Sequence, residues 1–112
     1  MGIRNVPTDE AASLASLVNA REGTVSSRSL TRGEGFGMFL FAFAAGESVS
    51  EETYLEDAMY YQVEGCSMVR FDDWVARLAP GDVLAVPAGI SHAIEPADAY
   101  GFKILQVFAP AE

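Results

Sequence analysis

Basic residues, cysteines and long hydrophobic runs are all scarce in this 112-residue chain, and each scarcity closes a route to function. Seven Lys and Arg stand against sixteen Asp and Glu, a net charge of −9. That balance is the opposite of the basic footprint that nucleic-acid phosphates require, so DNA and RNA are not expected partners. The single cysteine, Cys66, permits no intramolecular disulfide and fits a reducing compartment. The longest apolar run, Phe36 to Ala45, is about half of what a membrane helix needs, so no membrane partner is expected either. Met1 to Val6 carries neither the hydroxyl residue of a myristoylation signal nor the charged and apolar regions of a secretory peptide. A cytoplasmic location is expected. No internal repeat or low-complexity linker interrupts the chain. What remains is half hydrophobic and 21% charged, the composition of one globular domain.

The pattern within that domain is β. In Phe36 to Ala45, phenylalanines at 39, 41 and 43 alternate with Met38, Leu40 and Ala42, so both faces of an extended segment are apolar. A strand between a barrel interior and a second covering layer has that character. Asp57 to Glu64 reads as a strand stopped by Gly65, and Ser67 to Phe71 and Trp74 to Leu78 flank Asp72-Asp73 as a hairpin would. Ala79-Pro80-Gly81-Asp82 places proline and glycine where a type II turn wants them. Val83 to Val86 follows as a short buried strand, and Tyr100 to Phe108 as the last one. Only Thr8 to Ala20 is expected to form a helix, capped by Thr8 with Leu14, Leu17 and Val18 on one side. The reading is therefore an all-β barrel over 24–112 preceded by an N-terminal arm over 1–23.

Two glycine- and proline-punctuated segments sharpen this. Gly81, Pro87, Gly89 and His92 are spaced as in the pattern G-x5-P-x-G-x2-H, and Gly46 to Gly65 keeps the frame of G-x5-H-x-H-x3–4-E-x6-G. These are the two motifs of the cupins, and over about residues 24–109 the chain resembles a small RmlC-like cupin. That resemblance implies a double-stranded β-helix, the jelly-roll barrel. It departs from the family at the chemistry. The two histidines of the first motif fall on Glu52 and Tyr54, its glutamate on Ala58, and the asparagine of the second motif on Pro96.

A cupin metal centre, as the family implies it, uses three imidazoles and a carboxylate. Here His92 is the one histidine, Glu52 could stand in for one imidazole, Tyr54 is a rare ligand and Ala58 is none. No cofactor is expected on that count; a divalent transition metal, if bound, would rest on His92 and Glu52. The plainer reading makes His92 a half-buried residue satisfied by a neighbour, and Glu52 part of a solvated acidic loop with Glu47, Glu51, Glu56 and Asp57. Period-two alternation places 52, 54, 58, 60 and 62 on one face, so Glu52, Tyr54, Tyr60, Gln62 and His92 are the expected pocket. His92, Tyr54 and Tyr60 would be the acid–base groups if the pocket is catalytic, since some metal-free cupins pair a histidine with a tyrosine for proton transfer.

Other features carry no chemistry. Gly33-Glu-Gly35-Phe-Gly37 is no dinucleotide fingerprint, because no strand is expected before it and an apolar strand rather than a helix follows. Ser91 and His92 point to opposite faces of an extended segment, and Cys66 has no partner that would mark a nucleophile. Three readings stand. The first is a barrel that binds a modest uncharged or cationic small molecule, which needs a cavity. The second is an enzyme, either a metal-dependent oxygenase or isomerase with a reduced ligand set, or a metal-free proton-transfer isomerase; it needs His92 near a second titrating group. The third is a structural barrel with a decayed site, which needs a filled interior. The first is preferred. A homodimer is expected from the two-faced hydrophobicity of 36–45 and from Met59, Tyr61 and Val63. Replacing His92 by alanine is expected to abolish ligand binding while leaving folding nearly intact.

Overall fold

A computed structural model describes Met1–Glu112. Nine strands follow in chain order: β1 (Val25–Gly33), β2 (Phe36–Phe43), β3 (Val49–Glu52), β4 (Asp57–Glu64), β5 (Ser67–Arg70), β6 (Val75–Leu78), β7 (Val83–Val86), β8 (His92–Pro96) and β9 (Phe102–Ala109). They form two antiparallel sheets, one of five strands in the order β1-β2-β9-β4-β7 and one of four in the order β3-β8-β5-β6. Neighbours such as β2 and β9, or β4 and β7, are far apart in sequence, as a jelly roll requires. The six strand segments read from the sequence are all present, as β2, β4, β5, β6, β7 and β9. β1 escaped notice because Val-Ser-Ser-Arg-Ser-Leu-Thr-Arg-Gly is polar on both faces, as suits an edge strand. It ends on Gly33, and Glu34-Gly35 is the tip of the β1–β2 hairpin, with Gly35 at φ 75°.

The core lies between the sheets. Phe43, Ala58, Tyr60, Val86, Phe102 and Ile104 of the larger sheet meet Val69, Phe71, Leu78 and Ile94 of the smaller. Phe43 and Phe102 stack with ring centres 4.3 Å apart, which ties β2 to β9 at one end. The motif glycines serve backbone geometry. Gly81 has φ 94° in the turn closed by the Asp82 amide on the Ala79 carbonyl, 2.9 Å. Gly65 has φ 67°, and a Cβ there would lie 2.7 Å from the Gly101 carbonyl oxygen. Any other residue at 65 would be strained twice over.

The expected helix over Thr8–Ala20 is not there. Only Leu14–Leu17 forms a 3₁₀ turn, entered through Ser13 rather than Thr8, and Ser13 makes no side-chain cap. Tertiary packing explains the difference, because the segment is laid out against the outer face of the large sheet. Leu14, Leu17, Val18 and Ala20 cover Leu40, Ala42, Met38, Val63 and Leu105. The layer that β2's second apolar face demanded is thus this chain's own arm. Polar tethers hold it. Lys103 Nζ donates to the Ala15 carbonyl (2.6 Å) and to Asn19 Oδ1 (3.2 Å), and Arg28 donates to the Leu17 carbonyl (3.2 Å) and to Asn5 Oδ1 (2.8 Å). No helix is long and apolar enough to cross a membrane.

Candidate functional site

Alternation along β4 sends Ala58, Tyr60 and Gln62 into the barrel, and all three are buried. His92, at the start of β8, faces Glu52 of β3 directly in register. His92 is 3% exposed and Tyr60 1%, and their rings, 5.6 Å apart, are joined by a hydrogen bond of 2.7 Å between Tyr60 Oη and His92 Nε2. The other ring nitrogen, Nδ1, lies 2.9 Å from the Ile90 carbonyl oxygen. Gln106 Nε2 lies 2.9 Å from Tyr60 Oη.

These contacts fix one another's direction. A carbonyl oxygen only accepts, so His92 Nδ1 carries the proton and donates to Ile90. In the neutral ring Nε2 is then the acceptor, so the Tyr60 hydroxyl must donate to it. The Tyr60 oxygen is left to accept, and the group that meets it from Gln106 must be the NH2. Gln106 therefore turns its carbonyl oxygen, Oε1, away from the relay; no hydrogen bond ends on that oxygen, which is not among the fully buried unpartnered atoms, Ser29 Oγ being the one such. Burial pushes the Tyr60 phenol far above its ordinary range, the Tyr54 phenol adds to this, and the Gln106 amide opposes it. Tyr60 is a hydrogen-bond donor that does not readily release its proton.

Beside the relay is a cavity of about 70 Å³. It lies where β2 and β9 face β3 and β8, and is lined by Phe41, Phe43, Val49, Ile94, Glu52, Tyr54 and Gln106. Four of the seven are hydrocarbon surfaces, and Glu52 is the one charge. Tyr54 sits in the β3–β4 loop with its ring edge-on to Phe108 (4.8 Å) and His92 (5.8 Å). Burial raises its phenol, with Gln106 opposing and the Glu52 charge adding to the rise.

Of the expected pocket, Glu52 and Tyr54 line this cavity, while Tyr60 and His92 stand behind it, Tyr60 bonded to Gln106 and His92 edge-on to Tyr54. Gln62 does not join them. It is fully buried, accepts from Ser67 Oγ at 2.7 Å and donates to the Glu64 and Gly65 carbonyls, pinning the β4–β5 turn. Gln106, Phe41, Phe43, Val49 and Ile94 were missed. Gln106 had a signal: it is the one amide in the inward row Phe102, Ile104, Gln106, Phe108 of β9. The acidic loop also divides. Glu51 pairs with Arg70 at 3.3 Å and Asp57 accepts from the Ala88 amide at 2.8 Å.

The donors present do not fit the metal centre that the fold family implies. No three His, Cys, Asp or Glu side chains converge. Both nitrogens of His92 are engaged, one by Tyr60 and one by Ile90, and the position of the family's glutamate is the buried methyl of Ala58. His92 is also more than half-buried: Phe71 stacks on its ring at 6.0 Å, and Trp74 stacks on Phe71 at 4.6 Å. Removing it leaves a hole and strands the Tyr60 hydroxyl, so His92→Ala carries a folding cost of about 2 kcal/mol or more, contrary to the expectation from sequence.

Two facing antiparallel sheets with jelly-roll connections, and an interior site between them, define a small cupin barrel. Comparison with known proteins agrees. A cupin superfamily protein from Desulfitobacterium hafniense is 42% identical, with a TM-score of 0.91 over 96% of this chain and 97% of that one. A conserved Streptococcus pyogenes protein of unknown function shares the fold at 24% identity and a TM-score of 0.89, over 100% of this chain and 96% of its own. An uncharacterised Streptomyces coelicolor protein is 30% identical over 73 residues, which are 65% of this chain and 69% of that protein. No family model matches the sequence. The chain belongs to the cupin superfamily.

Proposed function

We propose that this cupin binds a small organic molecule in the barrel, in the cavity bounded by Glu52, Tyr54 and Gln106. The observation that carries the reading is that the interior is not filled: about 70 Å³ remains between the sheets, with an apolar lining and a few polar groups at one side. Binding pockets have that division, hydrocarbon for affinity and a few polar atoms for orientation. The volume sets the scale. Water takes about 30 Å³ in the liquid, so the cavity admits about two waters or the end of a short organic chain.

A binding role fits better than a catalytic one. The Tyr60–His92 pair meets the demand for two titrating groups within reach, but Tyr60 occupies His92 Nε2 and neither group lines the cavity. A second copy of this chain is the proposed macromolecular partner.

The test is a titration with a set of alcohols, amides and ammonium ions of up to about five non-hydrogen atoms, followed by amide NMR shifts. Saturable shifts centred on Phe41, Val49, Ile94 and Gln106, lost in Ile94→Trp while the fold persists, are expected. If no compound moves those amides, the binding reading fails.

A further inference from the structure

The direction of the relay determines what the cavity asks of a ligand. The Ile90 carbonyl fixes the His92 tautomer, the tautomer fixes Tyr60 as a donor to His92, and the Tyr60 oxygen fixes the Gln106 amide nitrogen as its partner. The Gln106 Oε1 acceptor is thereby left without a donor on a side chain that is 4% exposed and lines the cavity. That oxygen is open to the cavity rather than sealed in the core, since the one fully buried side-chain polar atom without a partner is Ser29 Oγ. The second acceptor on the cavity wall is the Glu52 carboxylate, and no lysine or arginine lines it. Opposite them are Phe41, Phe43, Val49 and Ile94, a surface for hydrocarbon.

We infer that the ligand enters as a short primary alkylammonium group, its hydrocarbon on the Phe41, Phe43, Val49 and Ile94 surface and its N–H donors on Gln106 Oε1 and the Glu52 carboxylate. This rests on the cavity being the binding site, as proposed above. An ammonium has three donors and no acceptor, which suits Gln106 Oε1 and the Glu52 carboxylate, and the Tyr54 hydroxyl on the same wall can accept as well as donate. A carboxylate ligand would be repelled by Glu52, and an alcohol would use only one of the two acceptors.

Three probes separate the possibilities: ethylammonium and ethanol, with three non-hydrogen atoms each, and the slightly larger propionate, with five, each titrated by ligand-observed NMR to about 50 mM, because ligands of three non-hydrogen atoms are held no tighter than roughly millimolar. The expected order is ethylammonium at least ten-fold tighter than ethanol, with propionate not bound. Glu52→Gln, at an exposed position, should fold normally and reduce ethylammonium affinity about ten-fold while sparing ethanol. Gln106→Leu should reduce it as well. Ethanol and ethylammonium binding equally, or Glu52→Gln without effect, overturns the ammonium assignment and leaves the cavity reading standing. Binding of none of the three overturns both.

Discussion

Replacing Tyr60 by phenylalanine removes one oxygen and keeps the ring, so it tests the relay without opening the core. Two groups lose a partner. The Gln106 amide can turn toward the cavity, where water can meet it. His92 Nε2 cannot: it is an acceptor on a ring 3% exposed, hemmed by Tyr54 and Phe71, with no other donor in contact. A buried acceptor left unsatisfied costs about 1–3 kcal/mol, so Tyr60→Phe should destabilise by about 2 kcal/mol. In urea, with a slope near 1–3 kcal/mol/M for a small domain, the midpoint should fall by about 1 M. Trp74, the sole tryptophan, stacks on Phe71 and supplies the fluorescence signal. Gln106→Leu is the control. It leaves the Tyr60 hydroxyl still donating to His92 and idles only an oxygen lone pair, so it should cost less than about 1 kcal/mol. A midpoint unchanged in Tyr60→Phe, or a larger loss in Gln106→Leu, would refute the assigned direction of the hydrogen bonds.

Alkaline pH should act through the same hydroxyl. The Tyr60 phenol is raised above 10.0 in the folded state, so its contribution is fully present below pH 10 and is lost as the pH climbs from there toward the folded value, where only the unfolded chain ionises. Urea midpoints measured from pH 8 to 11.5 should fall steeply at the top of that range in the wild type and less steeply in Tyr60→Phe, with the remaining slope due in part to Tyr54, raised in the same sense. On the outer face of the large sheet, Val107, Met59 and Ala85 form one cross-strand row, and Leu105, Tyr61 and Val83 the next. The arm packs on Leu105, while Met59 and Val83 are 39% and 59% exposed. Light scattering should give twice 12.0 kDa for the wild type and about 12.0 kDa for Met59→Glu, whereas a wild-type monomer rules this face out as a dimer contact.

The difference between what was legible in the sequence and what was not has a physical basis in this chain. The frame was legible because it is a set of backbone demands. Gly65 and Gly81 occupy positive φ, the Asp82 amide closes its turn on Ala79, and period-two alternation on β4 buries 58, 60 and 62. Each demand is local and visible as a residue type at a fixed spacing. The arm was misread because a local apolar pattern with Leu14, Leu17 and Val18 resembles a helix face, while the partner that decided its shape, the β2–β9 surface, is distant in the chain. Facing within the site depended on pairing of the same kind. Gln62 and Tyr60 share parity, yet Ser67 and the Gly65 carbonyl claim Gln62 whereas His92 and Gln106 claim Tyr60.

The same division explains how the barrel keeps its frame while the ligand positions differ from the family's. Backbone turns require Gly65 and Gly81 whatever the interior holds. No backbone turn requires a particular side chain at 54 or 58, and an ionised carboxylate at 58 would be buried without a cation beside it. A methyl there needs no partner, so Ala58 joins the hydrophobic core. His92 faces the same condition differently. Lacking the other imidazoles, its Nε2 would be a stranded acceptor, and Tyr60 satisfies it. Gln106 in turn satisfies the Tyr60 oxygen, and the unpaired acceptor moves one residue outward to the cavity wall. The relay thus transfers a hydrogen-bonding deficit from the buried histidine to the one place in the barrel where a molecule from solvent can meet it.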